Sequence, residues 1–257
     1  MNSKTLAATA VFTAFVAAVT MVFVIYIPAT KGYFDIGEIM VYIVAMLMGP
    51  YVGAFAGGVG SAISDAVLAP QYAPGTLVIK GLEGLIVGYL TNLRLAGLTK
   101  TRWMLISGAL GLAVAVLISF LGVNYLSGAQ QLYLGFSSSP TTPLGPQFTL
   151  NFFVPYYFWI IVGAATFALA IAAGYLLDER LGWTILSVLL GGSEMVLGYF
   201  LFESIGLQLG FVTASVEVPI NAGQVLVGLI VAIPVVRSYR RIAGRGAPHP
   251  VVPAKAT

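Results

Sequence analysis

Long apolar runs follow one another along almost the whole chain. Apolar residues make up 59% of the sequence and charged residues only 8%, whereas a soluble domain carries about 25% charged residues. Because lipid offers no hydrogen bonds, a membrane-spanning backbone is either helical or part of a closed barrel. The runs are continuous rather than alternating, which is unlike a barrel and predicts an all-α polytopic membrane protein. The eight predicted helices are 5–28, 36–48, 51–69, 76–93, 104–126, 153–177, 184–205 and 211–236.

The lysines and arginines predict the orientation of these helices. With eight crossings and both termini in the cytoplasm, ten of the twelve basic residues fall on the cytoplasmic side, and only Lys31 and Lys80 do not. Such an excess is typical of cytoplasmic loops. The sequence therefore predicts a multi-pass protein of the cell membrane, whose basic segment after the last helix contacts the inner leaflet rather than nucleic acid.

Several ionisable or amide side chains lie inside the apolar runs. A charge at bilayer depth costs about 2.5 to 3.5 kcal/mol, so each is a candidate site residue. On the last helix, three polar residues follow i, i+4, i+7 spacing and share one face, whereas Lys80 and Glu83 are i, i+3 neighbours that can pair for structural reasons alone. The polar residues within the runs are Lys80, Glu83, Glu194, Glu217, Asn221 and Gln224.

Most of these side chains are predicted to lie in the outer half of the membrane, with Gln224 and Glu194 nearer the midplane. Together they surround an outward-facing site that we call the polar cup. The segment KGYFDIGE, residues 31–38, precedes the second helix on the same side. Its Tyr33, Phe34 and Asp35 combine aromatic rings with a carboxyl group, a mixture suited to a small polar ligand. We expect this segment to cover the polar cup.

The first helix carries a different pattern in its cytoplasmic half. Ala10, Ala14 and Ala18 recur every four residues, and such small side chains allow another helix to approach closely in lipid. Packing inside the protein and docking on a partner both account for the pattern.

Five blocks of sequence resemble a known family. They are GYFDIGE (32–38), MLMGPYVGAFAGGVGSAISDAVL (46–68), YAPGTLVIKGLEGLIVGYL (72–90), GGSEMVLGYFLFE (191–203) and ASVEVPINAGQVLVGLIVAIPV (214–235). Together they are similar to the substrate-binding S component of energy-coupling factor (ECF) vitamin transporters. The forms of KGLEG and E-V-P-x-N found here are closest to the branch for riboflavin or the pyrimidine precursor of thiamine.

The resemblance implies a six-helix core that captures a vitamin from outside. It also implies partners, namely a transmembrane coupling protein carrying two cytoplasmic ATPases, with Ala10, Ala14 and Ala18 as the docking surface. Because the chain has two additional helices, we predict an inserted hairpin. The predicted division is 1–99 for core helices one to four, 100–182 for the hairpin with its external loop, 183–237 for the last two core helices and 238–257 for a basic tail.

Nothing in the sequence favours an enzyme. The chain has no cysteine, and its single histidine, His249, lies in the segment GAPHPVVP. Phosphate-loop, nucleophile-elbow and His-Glu metal motifs do not occur, so no cofactor and no metal site are predicted. The alternative is a secondary transporter that moves a small polar molecule with an ion or proton carried by Glu83, Glu194 or Glu217.

Overall fold

A computed structural model describes residues 3–93, 99–125, 127–134, 148–176 and 179–243. Eight helices of eleven or more residues form a bundle, together with one single-turn helix and two short antiparallel hairpins. The helices are α1 (Ser3–Val22), α2 (Glu38–Met48), α3 (Pro50–Leu68), α4 (Ala73–Asn92), α5 (Lys100–Tyr125), α6 (Tyr156–Leu176), α7 (Glu179–Leu201), α8 (Phe211–Ala214) and α9 (Glu217–Ala243). The strands are β1 (Val24–Ile27), β2 (Gly32–Asp35), β3 (Gly128–Leu134) and β4 (Phe148–Val154).

Seven of the helical segments in the described part of the chain are long and apolar enough to cross a membrane. The eighth, α2, has only eleven residues and is the most enclosed helix: Tyr42, Val44 and Ala45 have no exposed surface. The prediction of an all-α polytopic membrane protein is confirmed.

Helix α2 ends at a Gly-Pro pair. Gly49 adopts φ 85°, a conformation that glycine adopts without strain, and Pro50 begins α3. Because proline has no N–H, the carbonyl of Met46 lacks the donor that residue 50 would supply in a continuous helix. Arg240 of α9 donates to this carbonyl at 2.6 Å and so joins the end of α2 to the last helix.

Small residues let α3 and α4 approach closely. A Cβ atom at Gly57 would lie 2.9 Å from the carbonyl oxygen of Lys80, and one at Gly53 would lie 2.8 Å from that of Gly84. Such contacts are typical of helices packed in lipid. They place the α4 backbone at Lys80 directly against α3.

The first predicted helix, 5–28, was wrong in its last six residues, 23–28. Helix α1 ends at Val22, and Val24–Ile27 forms β1, which pairs with β2 in the register Ile25↔Phe34. Two features account for this difference. The segment VIYI is rich in β-branched residues, which favour strands, and Pro28 follows it, with Lys31 in the turn at φ 60°. The segment expected to be a loop over the polar cup is therefore the second strand of a hairpin.

The last two core helices also differ from the prediction. Helix α7 ends in a π-helical turn, Phe202–Gly206, in which the Leu207 N–H donates to the Phe202 carbonyl at 2.8 Å. The predicted helix 211–236 is divided into α8 and α9, and α9 continues to Ala243. The division makes Glu217 the first residue of α9.

Helices α5 and α6 pack chiefly on each other, through close contacts such as that of Gly163 with the Ala115 carbonyl. Trp103, which is buried, rests on Gly182 of α7 and links this pair to the rest of the bundle. Strands β3 and β4 extend the two helices as an antiparallel ribbon, so α6 begins at Tyr156 rather than at the predicted residue 153. The middle of the predicted external loop, 135–147, and the tail after 243 with His249 lie outside the described residues.

Candidate functional site

The polar cup lies at the end of the bundle where α1, α3 and α7 end and where α2, α4 and α9 begin. Hairpin β1–β2 lies across it. The free volume inside is about 30 Å³, which admits water but no drug-sized ligand. Its charged lining residues are Asp35, Glu38, Asp65, Lys80 and Glu217. Its neutral polar lining residues are Thr20, Ser61, Thr76, Asn221 and Gln224, together with Tyr33, Tyr72 and Tyr199.

The turn of the hairpin is bound to α9 and to Tyr72, which directly precedes α4. The Thr30 hydroxyl donates to the carboxyl group of Glu217, while the Tyr72 hydroxyl donates to the Thr30 carbonyl at 3.1 Å. Gly32 leaves space for the same carboxyl group, since a Cβ atom there would lie 3.0 Å from Glu217 Cδ. The first residue of α9 therefore fits directly under the turn.

Strand β2 is bound to α3 and α9. The Tyr33 hydroxyl donates to Asp65 of α3. Gln224 of α9 donates to the Tyr33 carbonyl at 3.3 Å and to Asp35 Oδ2 at 3.2 Å. Side chains of α3 and α9, together with Tyr72 in the turn before α4, thus hold the hairpin closed.

Asp35 is buried in β2, outside the membrane-spanning helices. Its Oδ1 accepts the N–H of Gly37 at 2.6 Å. Burial raises the pKa of Asp35 to about 6, although the positive charge of Lys80 and the Gly37 N–H both lower it. The protonation state of the hairpin thus changes in the mildly acidic range.

Lys80 is the cation at the floor of the polar cup, 5% exposed. It forms ion pairs with Glu38 of α2 and, at 3.3 Å, with Glu83 one turn further along α4. The other oxygen of Glu83 accepts the hydroxyl of Tyr42 at 2.8 Å. Two carboxyl groups therefore surround one ammonium group, so carboxyl groups outnumber ammonium groups in the buried cluster.

Asp65 and Glu217 each belong to a further polar contact. Asp65 also accepts the Thr76 hydroxyl, whose oxygen lies 2.8 Å from the hydroxyl of Tyr199. Glu203, which has no exposed surface, lies beside Glu217, and neither of its carboxyl oxygens accepts a hydrogen bond from the described residues. A hydrogen bond between Glu203 and Glu217 requires that one of the two carboxyl groups holds a proton.

Six of the nine predicted ligand-binding residues line the polar cup, namely Tyr33, Asp35, Lys80, Glu217, Asn221 and Gln224. The other three do not. Phe34, on the opposite face of β2 from Tyr33, meets Phe23 edge to face, with ring centroids 6.4 Å apart. Glu83 is completely buried behind Lys80 and Glu194 is half-buried on α7, so both affect the lining only through neighbouring charges.

Other polar residues of the polar cup were not among those predicted as ligand-binding. Glu38 and Asp65 lie at helix ends, where a carboxyl group at the water interface is unremarkable in sequence. Thr76 and Tyr199 occur in apolar runs as neutral residues. A search for polar residues within one turn of the outer helix ends finds Glu38 and Asp65, but only the helix packing shows that they face inward.

The three alanines of α1 lie on its exposed surface. The opposite side of the helix packs on α3, where the Ser64 hydroxyl donates to the Ala17 carbonyl at 3.0 Å and Gly60 meets the Thr13 carbonyl. The described residues therefore leave uncovered the small-residue face formed by Ala10, Ala14 and Ala18.

The fold and the site together define a polytopic helical membrane protein with a closed polar site at one end of the bundle. The sequence model of the family described as "ECF-type riboflavin transporter, S component" matches residues 1–142, more than half of the chain. The chain belongs to this family of ECF S components, which are transporter subunits for vitamin uptake rather than enzymes.

A relative from Pyrococcus woesei is 38% identical over 167 residues, covering 65% of this chain and 97% of that protein. It is described only as an uncharacterised protein in the gap 3′ region, so the similarity does not indicate which ligand is bound.

Proposed function

We propose that this protein captures one vitamin-like molecule, riboflavin or the pyrimidine precursor of thiamine, in the polar cup from the outer side of the membrane. The observation that carries the proposal is the set of buried polar side chains from six helices and one hairpin, enclosed at one end of a bundle belonging to the ECF S-component family. Burying this many polar groups in a membrane protein is costly, and ionisable residues inside a membrane protein therefore mark functional sites.

In the proposed mechanism, hairpin β1–β2 is the gate. The polar cup is too small for a vitamin while the hairpin is bound to Glu217, Asp65 and Gln224, so the hairpin moves aside when a ligand enters. The same three side chains then become available to the ligand. Exchange of one set of hydrogen bonds for another keeps the buried groups satisfied in both states.

Capture is followed by ATP-driven import. The chain docks on a transmembrane coupling protein carrying two cytoplasmic ATPases, and α1 supplies the docking surface through Ala10, Ala14 and Ala18. Their exposure and small volume support this role, because helices approach closely in lipid only where side chains are small. Ligand binding and docking therefore involve different surfaces.

Binding is tested first, by calorimetry on the purified protein with riboflavin and with the thiamine pyrimidine precursor. Asn221→Ala removes a side chain that lines the polar cup and is expected to weaken binding by about 5- to 150-fold, the cost of leaving a buried partner unsatisfied. Asn124→Ala, on the exposed side of α5, is the matched control. Equal affinities of the two variants would place the ligand elsewhere.

Docking is tested with Ala14→Leu, which adds three carbon atoms to the proposed docking surface. The same substitution at Ala168, an exposed alanine of α6, is the control. We expect Ala14→Leu to retain ligand affinity yet lose the coupling protein during co-purification, and with it ATP-dependent uptake. Full uptake by Ala14→Leu would contradict this assignment, and ion-dependent uptake by the chain alone would favour a secondary transporter.

A further inference from the structure

The ionisable groups lining the polar cup are strongly unbalanced. Four carboxyl groups line it, those of Asp35, Glu38, Asp65 and Glu217, against the single ammonium group of Lys80. If all five were ionised, the net charge would be 1 − 4 = −3. Uncompensated charge away from water is costly and is reduced by protons or by a cation. The lining therefore favours a ligand that carries positive charge.

Most of the hydrogen-bond donors of the polar cup are already engaged. The hydroxyls of Tyr33 and Thr76 both donate to Asp65, and the Gln224 amide donates to β2. Lys80 is held between two carboxyl groups. A carboxylate has lone pairs for about four hydrogen bonds, so the unused hydrogen-bonding capacity of the lining lies mainly in its acceptor oxygens. Such a lining is complementary to a ligand rich in N–H or O–H donors.

One buried amide of the lining has no partner of its own. Asn221 is 4% exposed, and within the described residues its side chain forms no hydrogen bond, although it lies between Glu217 and Gln224 on the buried face of α9. An amide both donates and accepts. It is therefore suited to a heterocycle in which an N–H donor adjoins a ring nitrogen.

The rings of the lining do not form a broad stacking platform. The aromatic lining residues are Tyr33, Tyr72 and Tyr199, and each hydroxyl already contacts a polar group of the protein. One face of Tyr199 is approached by Lys80 Nζ, which lies 5.6 Å from the ring centroid. Three separate rings of this kind suit a single small ring better than a three-ring flavin.

We propose that the polar cup selects a cationic or N–H-rich single-ring heterocycle of the aminopyrimidine type over an uncharged flavin. This inference rests on the proposed function and narrows its ligand. The amino group and a protonated ring nitrogen donate to the lining carboxylates, and Asn221 completes the contacts at the ring edge.

The test compares three probes by calorimetry on the full chain in detergent. They are 4-amino-5-hydroxymethyl-2-methylpyrimidine, the matched pyrimidine with a hydroxyl in place of the amino group, and riboflavin. We expect the aminopyrimidine to bind at least about 10-fold more tightly than either of the others, because a charge-assisted hydrogen bond is roughly twice as strong as a neutral one.

Two variants examine the charge argument directly. Glu217→Gln keeps the shape of a lining residue but removes its charge, and we expect it to reduce the preference for the amino compound over the hydroxy compound by about 10-fold. Asn124→Ala, on the exposed side of α5 and outside the lining, is expected to keep that preference. Melting curves of both variants verify that they are folded.

The outcomes separate the two proposals. Tighter binding of riboflavin than of the aminopyrimidine would overturn this inference while leaving vitamin capture in place. Equal binding of the amino and hydroxy compounds would also overturn it. If the folded protein binds none of the three probes, the proposed function itself fails.

Discussion

Tyr42→Phe is expected to destabilise the protein through one buried hydrogen bond. The Tyr42 hydroxyl donates to Glu83 Oε1 at 2.8 Å, and neither side chain has exposed surface. Phenylalanine keeps the ring but leaves that oxygen without a donor, while the second oxygen stays 3.3 Å from Lys80 Nζ. A hydrogen bond to a charged group contributes about 1.5 to 3 kcal/mol. For a chain of this length, that loss corresponds to a fall in Tm of about 3 to 12 °C.

The assay is thermal unfolding in detergent, measured at a constant heating rate. Tyr89→Phe is the matched control, because Tyr89 is 58% exposed on the same helix as Glu83 and forms no hydrogen bond with the described residues. In a Glu83→Gln background, Tyr42→Phe should cost less, since hydrogen bonds to neutral acceptors contribute only about 0.5 to 1.5 kcal/mol. Equal Tm values for Tyr42→Phe and Tyr89→Phe would refute the reasoning.

Two further predictions concern the ends of the bundle. Arg240→Met removes the donor to the Met46 carbonyl and should lower the free energy of unfolding by about 1 kcal/mol. Its Tm should therefore be lower than that of the neighbouring variant Arg241→Met. Equal Tm values for the two variants would mean that water replaces the donor. Asp35→Asn should flatten the pH dependence of stability. Burial raises the Asp35 pKa from 3.8 to about 6, so the folded state binds the Asp35 proton more tightly than the unfolded state does. The stabilisation that this proton contributes is complete below pH 3.8 and is lost as the pH rises through 6. Melting curves from pH 4 to 7 test this, and parallel profiles for the two proteins would contradict it.

Prediction from the sequence succeeded for features that each helix carries by itself. The spacing of Glu217, Asn221 and Gln224 placed them on one face of α9, and all three are buried in the polar cup. Lys80 and Glu83 were identified as neighbours one turn apart that can pair, and they do. Helical periodicity is local, so a single sequence is enough to infer it.

Prediction failed where the outcome depended on contacts between distant segments. The apolar run 5–28 fits a helix by composition, yet its last residues form β1 because β2 is available to pair with them. Phe34 was grouped with Tyr33 as a cover, but the alternation of side chains along a strand turns the two in opposite directions. Glu38 joins the site only because α2 and α4 bring it to Lys80.

The amino-acid sequence by itself thus determined that the chain is a bundle of membrane helices with polar side chains near one end, because in lipid each helix satisfies its own backbone and its composition shows this directly. Only the tertiary structure decided which of those side chains face one another. The closed hairpin, the ion pair of Lys80 with Glu38 and the excess of carboxyl groups in the polar cup all arise between segments far apart in sequence. Their geometry depends on the close packing of small residues such as Gly57, and no local pattern contains it.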